Sequence, residues 1–564
     1  MGNATLEAKV VQIISWGALI ATLIVTDRIS YEPANLGKMA VLTVSAFAGL
    51  FISLTNTKVM WKRNKIATSF LVIFVLASLT SIILSETLFI RGFYGTIGRS
   101  TGFLTYLGLA LLFFLSMSFL RKESLSRVIT FFYIAGISNI VYCIAASLGF
   151  DIITWDNTYN KVLGTFGNPN FIASFMGIFF CVNLAYFQFF KQSRKRLVTF
   201  FVIAISSLYV VYESGSLQGY VLIAYGLFMI TFFYLHFSLS SNLVSRAFLM
   251  FSIVLGFIAI AGVLQKGPLA SILYKPSVTF RGEYWQAGLN MAKDNVFFGI
   301  GLDSYGLFYR QYRDASAAIY PGLGVVTDAA HNVFIDVFAG AGLFALVAYL
   351  GIFFLVSFRS LKYFNKLDKF DPIFTALFLG WSSYQIQSII SINQIGLAVW
   401  GWLFGGCLIA YTASNKASQV NDLKMAQKII KSRNPQEKEL LPPIHVLLLV
   451  LGVGIGIGVS SPSFYADVKF RQAISVNKTT IEKVLGESER WPQDNFRMER
   501  IVVALANQNY GEEAQFVAAK YALLFPNDFA AWKALWSLSP EGSKEQQAYK
   551  VKLHELDPLS PEWK

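Results

Sequence analysis

The run His331-Asn332-Val333-Phe334-Ile335-Asp336-Val337-Phe338-Ala339-Gly340-Ala341-Gly342-Leu343-Phe344-Ala345-Leu346 passes without a break from a polar head into an apolar body. The apolar stretch it opens continues to about residue 357. That is long enough to cross a bilayer, which takes about 20 residues of α-helix. Immediately before it lies a polar and aromatic segment, residues 266–330. On either side of this pair, further apolar runs of similar length follow one another. The junction at His331 therefore reads as the point where a long loop outside a membrane re-enters it, and the rest of the chain is read from there.

Composition agrees. The chain is 55% hydrophobic and only 14% charged, whereas soluble domains carry roughly 25% charged residues. The net charge of +14 does not point to nucleic acid. The basic residues sit in short clusters between apolar runs, with no basic stripe interleaved with aromatics, and this is the pattern of cytoplasmic membrane loops. Cys143, Cys181 and Cys407 all lie inside apolar runs, which excludes a disulfide framework and a zinc site and leaves small buried hydrophobes. The first apolar run leads into Asp27-Arg28 and shows no small-residue cleavage site, so it is expected to remain as an anchor.

The sequence predicts an all-α, polytopic transmembrane bundle of about thirteen spans. They lie near 10–26, 38–54, 67–85, 103–120, 128–149, 170–190, 197–213, 217–237, 246–265, 331–357, 373–391, 394–413 and 444–461. The clusters Lys58-Lys62-Arg63-Lys65, Arg121-Lys122-Arg127, Lys191-Arg194-Lys195-Arg196, Arg359-Lys362-Lys366-Lys369 and the Lys-rich stretch 416–438 all fall on one side if every span crosses. The positive-inside rule makes that side cytoplasmic, together with the N-terminus. The short gaps at 214–216 and 392–393 are where two spans could be miscounted. Residues 27–37, 86–102, 150–169, 266–330 and everything after about 462 then lie outside. The expected division is a transmembrane domain, 1–461, containing the outer loop 266–330, and an outer helical domain, 462–564.

That C-terminal domain carries a soft repeat: Trp491-Pro492-Gln493-Asp494, then Phe525-Pro526-Asn527-Asp528, then Asp557-Pro558. The first two prolines are 34 residues apart, the period of tetratricopeptide repeats. An unrelated stack of helical hairpins would share the pattern. The module is expected to bind an acceptor or a partner protein and to contribute no catalytic group.

Few polar residues at the outer face are candidates for chemistry. His331 is the one histidine of four at the outer face at the head of a span, His554 lying in the C-terminal module. It either packs at the start of a helix or serves as a proton acceptor near neutral pH, with Asp328 and Asn332 beside it. Arg281 is either an interface arginine or an anion fork in the setting Arg281-Gly282-Glu283-Tyr284-Trp285. Arg99 stands on a glycine-flanked turn, and Arg91, Arg310 and Arg313 are weaker candidates of the same kind. Gly299-Ile300-Gly301 lacks the third glycine of a dinucleotide fingerprint, since Ser304 stands there. No outer loop contains an Asp-x-Asp pair or a His/Cys cluster, so no metal or cofactor is expected. The near absence of charge inside the spans argues against an ion-coupled transporter.

In chain order, Gly98-Arg99-x-x-Gly102, Gly167-Asn168-Pro169-Asn170, Arg281-x-x-x-Trp285, Phe298-Gly299-Ile300-Gly301 and His331-Asn332 with Gly340-x-Gly342 form a set that resembles the O-antigen ligase and polymerase superfamily, over about residues 90–345. The resemblance implies a bacterial inner-membrane glycosyltransferase, without metal, that moves a glycan from a polyprenyl diphosphate to an acceptor hydroxyl of a glycan, lipid or protein on the outer face. It implies catalytic roles for His331 and Arg281 and donor-diphosphate binding by Arg99 and Arg281, to which Arg91 is added as a further outer-face arginine. Glu283, Trp285, Asp328, Asn332 and Gln218 would support them. Where the family often has Ser-Arg-Gly at the start of a middle span, this chain reads Ser216-Leu217-Gln218-Gly219, so an amide replaces an expected phosphate-binding arginine. The rival from another class is a lipid-linked glycan flippase or carrier.

Overall fold

The computed structural model describes residues 3–56, 64–120, 122–187, 193–238, 242–263, 266–273, 276–413, 442–474 and 481–564. Of the basic clusters used to orient the chain, Lys58, Lys62, Arg63, Arg121, Lys191 and the stretch 416–438 lie outside the described residues.

Among the described residues all regular structure is helical. Each of the thirteen apolar runs is a helix of its own: Asn3–Leu23, Leu36–Ser53, Lys65–Leu84, Phe103–Phe119, Lys122–Ser147, Pro169–Phe187, Arg194–Ser214, Leu217–Ser238, Asn242–Val263, Val333–Phe364, Pro372–Ile390, Ile395–Ala413 and Pro443–Ile474. Ten of the described helices are long and apolar enough to cross a membrane by themselves, and two more are shorter and apolar. The remaining one, Pro372–Ile390, has Ser382, Ser383, Gln385 and Gln387 in its middle. Both short gaps are real helix breaks. Gly215 ends one helix in the left-handed conformation at φ +65°, and Ser391 ends another in extended backbone.

The bundle core is aromatic. Phe132 meets Phe175, Phe179, Trp400 and Phe404 edge-on at 4.9–5.7 Å, the arrangement that ring quadrupoles favour. Trp400 is buried and donates its indole N–H to Thr22 Oγ1 at 2.8 Å. Lys38 is one of the few charged residues within the spans. Its buried ammonium donates to Thr22 O at 3.0 Å and Ile24 O at 2.8 Å. These carbonyls sit at the end of the first helix, where no intrahelical donor remains and the dipole favours a cation. Lys38 is thus a helix cap.

The loops assigned to one side on charge meet at one end of the bundle. Asp27 Oδ2 accepts from Thr154 N at 3.0 Å, Asn35 Nδ2 donates to Gly98 O at 2.7 Å, and Gln394 Nε2 donates to Asn35 Oδ1 at 2.9 Å. The C-terminal helices dock at the same end. The boundary expected at 461/462 falls inside a helix, because Pro443–Ile474 runs on through Pro462. Its extension packs on the first loop: Asp467 Oδ2 accepts from Tyr31 N at 2.6 Å and Glu32 N at 3.1 Å, and Phe470 meets the Tyr31 ring at 5.1 Å. Beyond it, Asn495–Asn507 and Gly511–Leu524 pair, as do Phe529–Leu538 and Lys544–Leu556. The repeated Pro-x-Asp has a physical meaning here. Asp494 accepts from Phe496 N at 2.9 Å, and Asp528 accepts from Ala530 N at 3.0 Å, so each is the N-cap that starts a helix pair.

Candidate functional site

The loop 266–330 folds into a cap with its own small core. Tyr284, Met291, Ile300, Tyr305, Phe308 and Tyr309 pack together against Ala330 and Ala339. Its long helix, Pro276–Asp294, carries Arg281 and Tyr284 three residues apart, and so on one face.

The cap is fastened to the re-entering helix by two glycine pairs. Val333–Phe364 is broken at Gly342, which has φ +77° and ψ −175°. The break frees carbonyls of the preceding turn. Ile300 N donates to Ala339 O at 2.8 Å, Gly301 N to Gly340 O at 3.0 Å, and Leu343 N to Val296 O at 2.7 Å. Ser81 Oγ adds a fourth bond to Gly340 O at 2.7 Å. The backbones touch closely enough that a Cβ on Gly342 would fall 2.2 Å from Phe297 O, and one on Gly299 would fall 2.5 Å from Ala339 O. Gly299-x-Gly301 and Gly340-x-Gly342 are therefore two halves of one backbone joint, which fixes the short half-helix 333–341 and the His331 before it.

Asn332 starts this half-helix. Its Oδ1 accepts from Phe334 N at 3.0 Å and Ile335 N at 3.2 Å, and Asp336 Oδ1 accepts from Ala330 N at 2.7 Å. His331 is held at φ +56°, a left-handed conformation that is uncommon for residues other than glycine and concentrates at functional sites. Among the described residues its ring nitrogens make no hydrogen bond. The ring lies 5.7 Å from that of Tyr284, centre to centre.

Arg99 reaches the same cavity on a tightly held loop. Asp303 Oδ2 accepts from Thr96 N at 2.8 Å and Thr101 N at 3.3 Å, and Asp303 O accepts from Thr96 Oγ1 at 3.0 Å. The Arg99 guanidinium grips both carboxylate oxygens of Asp328 through Nε and Nη2. Asp328 is 55% exposed there and Arg99 only 12%. Burial works against the Arg99 charge, but Asp328, with Asp303 and Asp336 near, raises its pKa. Burial likewise works against the Asp328 carboxylate, and Arg99 outweighs it and lowers the pKa.

These residues open on one cavity of about 570 Å³. Arg99, Asp328, His331 and Tyr284 all line it, joined by the Arg99–Asp328 pair and the Tyr284–His331 ring contact. Trp155, Asn168, Asn170 and Gln218 stand among the other lining residues, with Glu32 and Asn35 at the first loop. Glu32 accepts from Ala34 N, Asn35 N and Leu36 N at 2.7–3.0 Å, and burial raises its pKa in spite of those bonds. Gln218, at the position of the expected arginine, is buried and accepts from Ser174 Oγ at 2.9 Å. Ser216 Oγ beside it donates to Asn170 Oδ1 at 2.7 Å.

Burial, followed by the charges of Arg99 and Arg281, pushes the His331 pKa down to about 4, while Asp328 pulls the other way. Arg281 is not among the residues that line the cavity, but it stands within electrostatic reach of His331. Among the described residues it makes no ion pair or hydrogen bond, and burial lowers its pKa.

The remaining sequence candidates stand elsewhere. Arg91 is buried and faces away from the cavity, with Nη1 on Asn495 Oδ1 and Nη2 on Asp303 O. Trp285 packs against the cap core, and Glu283 Oε2 accepts from Ser316 Oγ at 2.8 Å. Sequence reasoning missed Asp303, Glu32 and Tyr284. Asp303 follows Gly301 by two residues and has φ +55°, but a single aspartate in a long loop announces nothing by itself. Among the described residues no group of three or more His, Cys, Asp or Glu is placed to hold a metal ion.

Residues 170–350 match the family model of the O-antigen ligase. The chain carries an O-antigen ligase domain. The domain and the apolar helices make this a multi-pass bacterial membrane protein of the glycan-transferring kind. The matched stretch holds Gln218, Arg281, His331 and the glycine joint, while Arg99 and the C-terminal helices lie outside it. No curated protein matches the chain.

Proposed function

We propose that the protein transfers a glycan from a polyprenyl diphosphate to an acceptor hydroxyl, with inversion and without a metal, on the outer face of the inner membrane. The diphosphate sits against Arg99 and Arg281, and the glycan lies along the wall of Trp155, Asn168, Asn170 and Gln218. The acceptor oxygen attacks the anomeric carbon and forms the new glycosidic bond. The bond from that carbon to the diphosphate breaks, and its electron pair leaves with the polyprenyl diphosphate. The hydroxyl proton passes to a ring nitrogen of His331.

The observation that carries this reading is the meeting of Arg99 and His331, from distant segments, in the lining of one cavity with Arg281 in electrostatic reach. A guanidinium fork matches two phosphate oxygens and keeps its charge. An imidazole with a pKa of about 4 is neutral at pH 7 and free to accept a proton, but it is a weak base. A bound diphosphate offsets the two arginines that depress it. The donor thus strengthens the base that the transfer needs, which typically contributes about 10²–10⁴-fold.

The test incubates purified protein with a polyprenyl-diphosphate glycan and candidate acceptors and follows the new glycosidic bond. His331→Ala and Arg281→Ala should each suppress it. Product formation untouched by both substitutions overturns the catalytic assignment, and movement of the lipid-linked glycan across vesicles without transfer identifies a carrier.

A further inference from the structure

Two lines of buried and part-buried polar contacts run from the C-terminal helices to the loops that carry cavity residues. On the first, Asp528 Oδ2 accepts from Asn495 Nδ2 at 2.8 Å, and Asn495 Oδ1 accepts from Arg91 Nη1. Arg91 Nη2 donates to Asp303 O at 3.3 Å. Asp303 then holds the amides of Thr96 and Thr101, which bracket Arg99. On the second, Asp557 accepts from Arg310 Nη1 at 2.9 Å and from Arg313 Nη2 at 2.8 and 2.9 Å. Arg313 Nη1 donates to Leu323 O at 2.9 Å, at the head of the segment that carries Asp328 and His331. The side chains of Arg313 and Asp557 are 0% and 1% exposed.

A module that only recruits a partner needs a tether. It does not need charged groups buried at its root, since an ion pair taken out of water costs desolvation and is retained only where geometry is held. Here each line ends on a loop that carries a cavity side chain. We propose that the C-terminal helices set the position of the transfer site, acting through Arg91 on Arg99 and through Arg313 on the Asp328–His331 segment. Arg91, Asn495, Arg313 and Asp557 are positioning residues, and none of them lines the cavity. The proposal rests on the reading of Arg99 as a diphosphate ligand.

The test is a double-mutant cycle on the full-length protein in detergent, with undecaprenyl diphosphate as the probe and its Kd as the readout. Arg91→Gln should weaken binding about tenfold, the loss of one well-placed charge-assisted contact. Arg91→Lys should recover part of it. In the Arg99→Ala background, Arg91→Gln should add nothing, because the residue it positions is gone. Asn495→Ala, which leaves Arg91 in place, should act in the same direction with the same non-additivity, and it serves if Arg91→Gln does not fold. Independent, multiplying effects of Arg91 and Arg99 overturn the proposal. So does unchanged Kd for both Arg91→Gln and Asn495→Ala while Arg99→Ala binds weakly. Unchanged Kd for Arg99→Ala itself sinks the diphosphate reading instead.

Discussion

Arg99 holds both carboxylate oxygens of Asp328 across 229 residues of sequence. The pair closes the cavity wall beside His331, yet Asp328 keeps more than half of its surface exposed. Under the proposed function, a diphosphate entering the cavity would meet a guanidinium already oriented and would replace its partner.

Arg99→Ala should lower transfer by about 10²–10³-fold, the usual cost of removing one preorganised donor at a site of developing charge. Arg99→Lys should recover only part of this, since an ammonium supplies the charge without the fork. Steady-state rates of the two variants give the comparison, and equal activity of Lys and Arg would mean that the fork is not used.

The depressed pKa of His331 sets the sign of the pH dependence. In the free enzyme the imidazole loses its proton as pH rises through about 4, so the acid limb of kcat/KM should lie there. Arg281→Ala removes a nearby cation and should move that limb to higher pH. The limb of kcat, which reports the donor complex, should also lie higher. His331→Gln should abolish the limb, and a limb that ignores Arg281 would refute the coupling.

Gly342→Ala should cost stability. The residue has φ +77°, and the new methyl would lie against Phe297 O. The left-handed geometry alone costs about 1–3 kcal/mol. Thermal unfolding of the detergent-solubilised protein should show it, whereas Gly282→Ala, with open space around the residue, should change little. Equal melting of the two would mean that the backbone joint does not brace the cap.

The loop 266–330 and the C-terminal helices should share the outer compartment. The three native cysteines are buried and should stay silent, so single cysteines at Ser316 and Ser543 should both react with an impermeant reagent added outside intact cells. Labelling at only one position would place the cap and the C-terminal helices on opposite sides.

The sequence by itself determined the bundle. Thirteen apolar runs became thirteen helices, because a membrane requires every backbone group to be bonded within its own segment, and that requirement is local. It also determined the helix starts at Asn332, Asp494 and Asp528, where one side chain caps the next turn. Arg99, Asp328 and His331 were each visible as polar residues at the outer face for the same local reason. Tertiary structure alone decided their company. Arg99 finds Asp328, while Arg91, eight residues earlier, is drawn to Asn495 and away from the cavity. Gly299 meets the turn that Gly342 opens, and Asp303 holds the Arg99 loop. Such pairings depend on where separate helices bring their loops, and no periodicity or spacing along one segment carries that information. The helix through Pro462 shows the same limit. Proline reads as a break locally, and the packing of Asp467 and Phe470 on Tyr31 lies beyond what that local signal encodes.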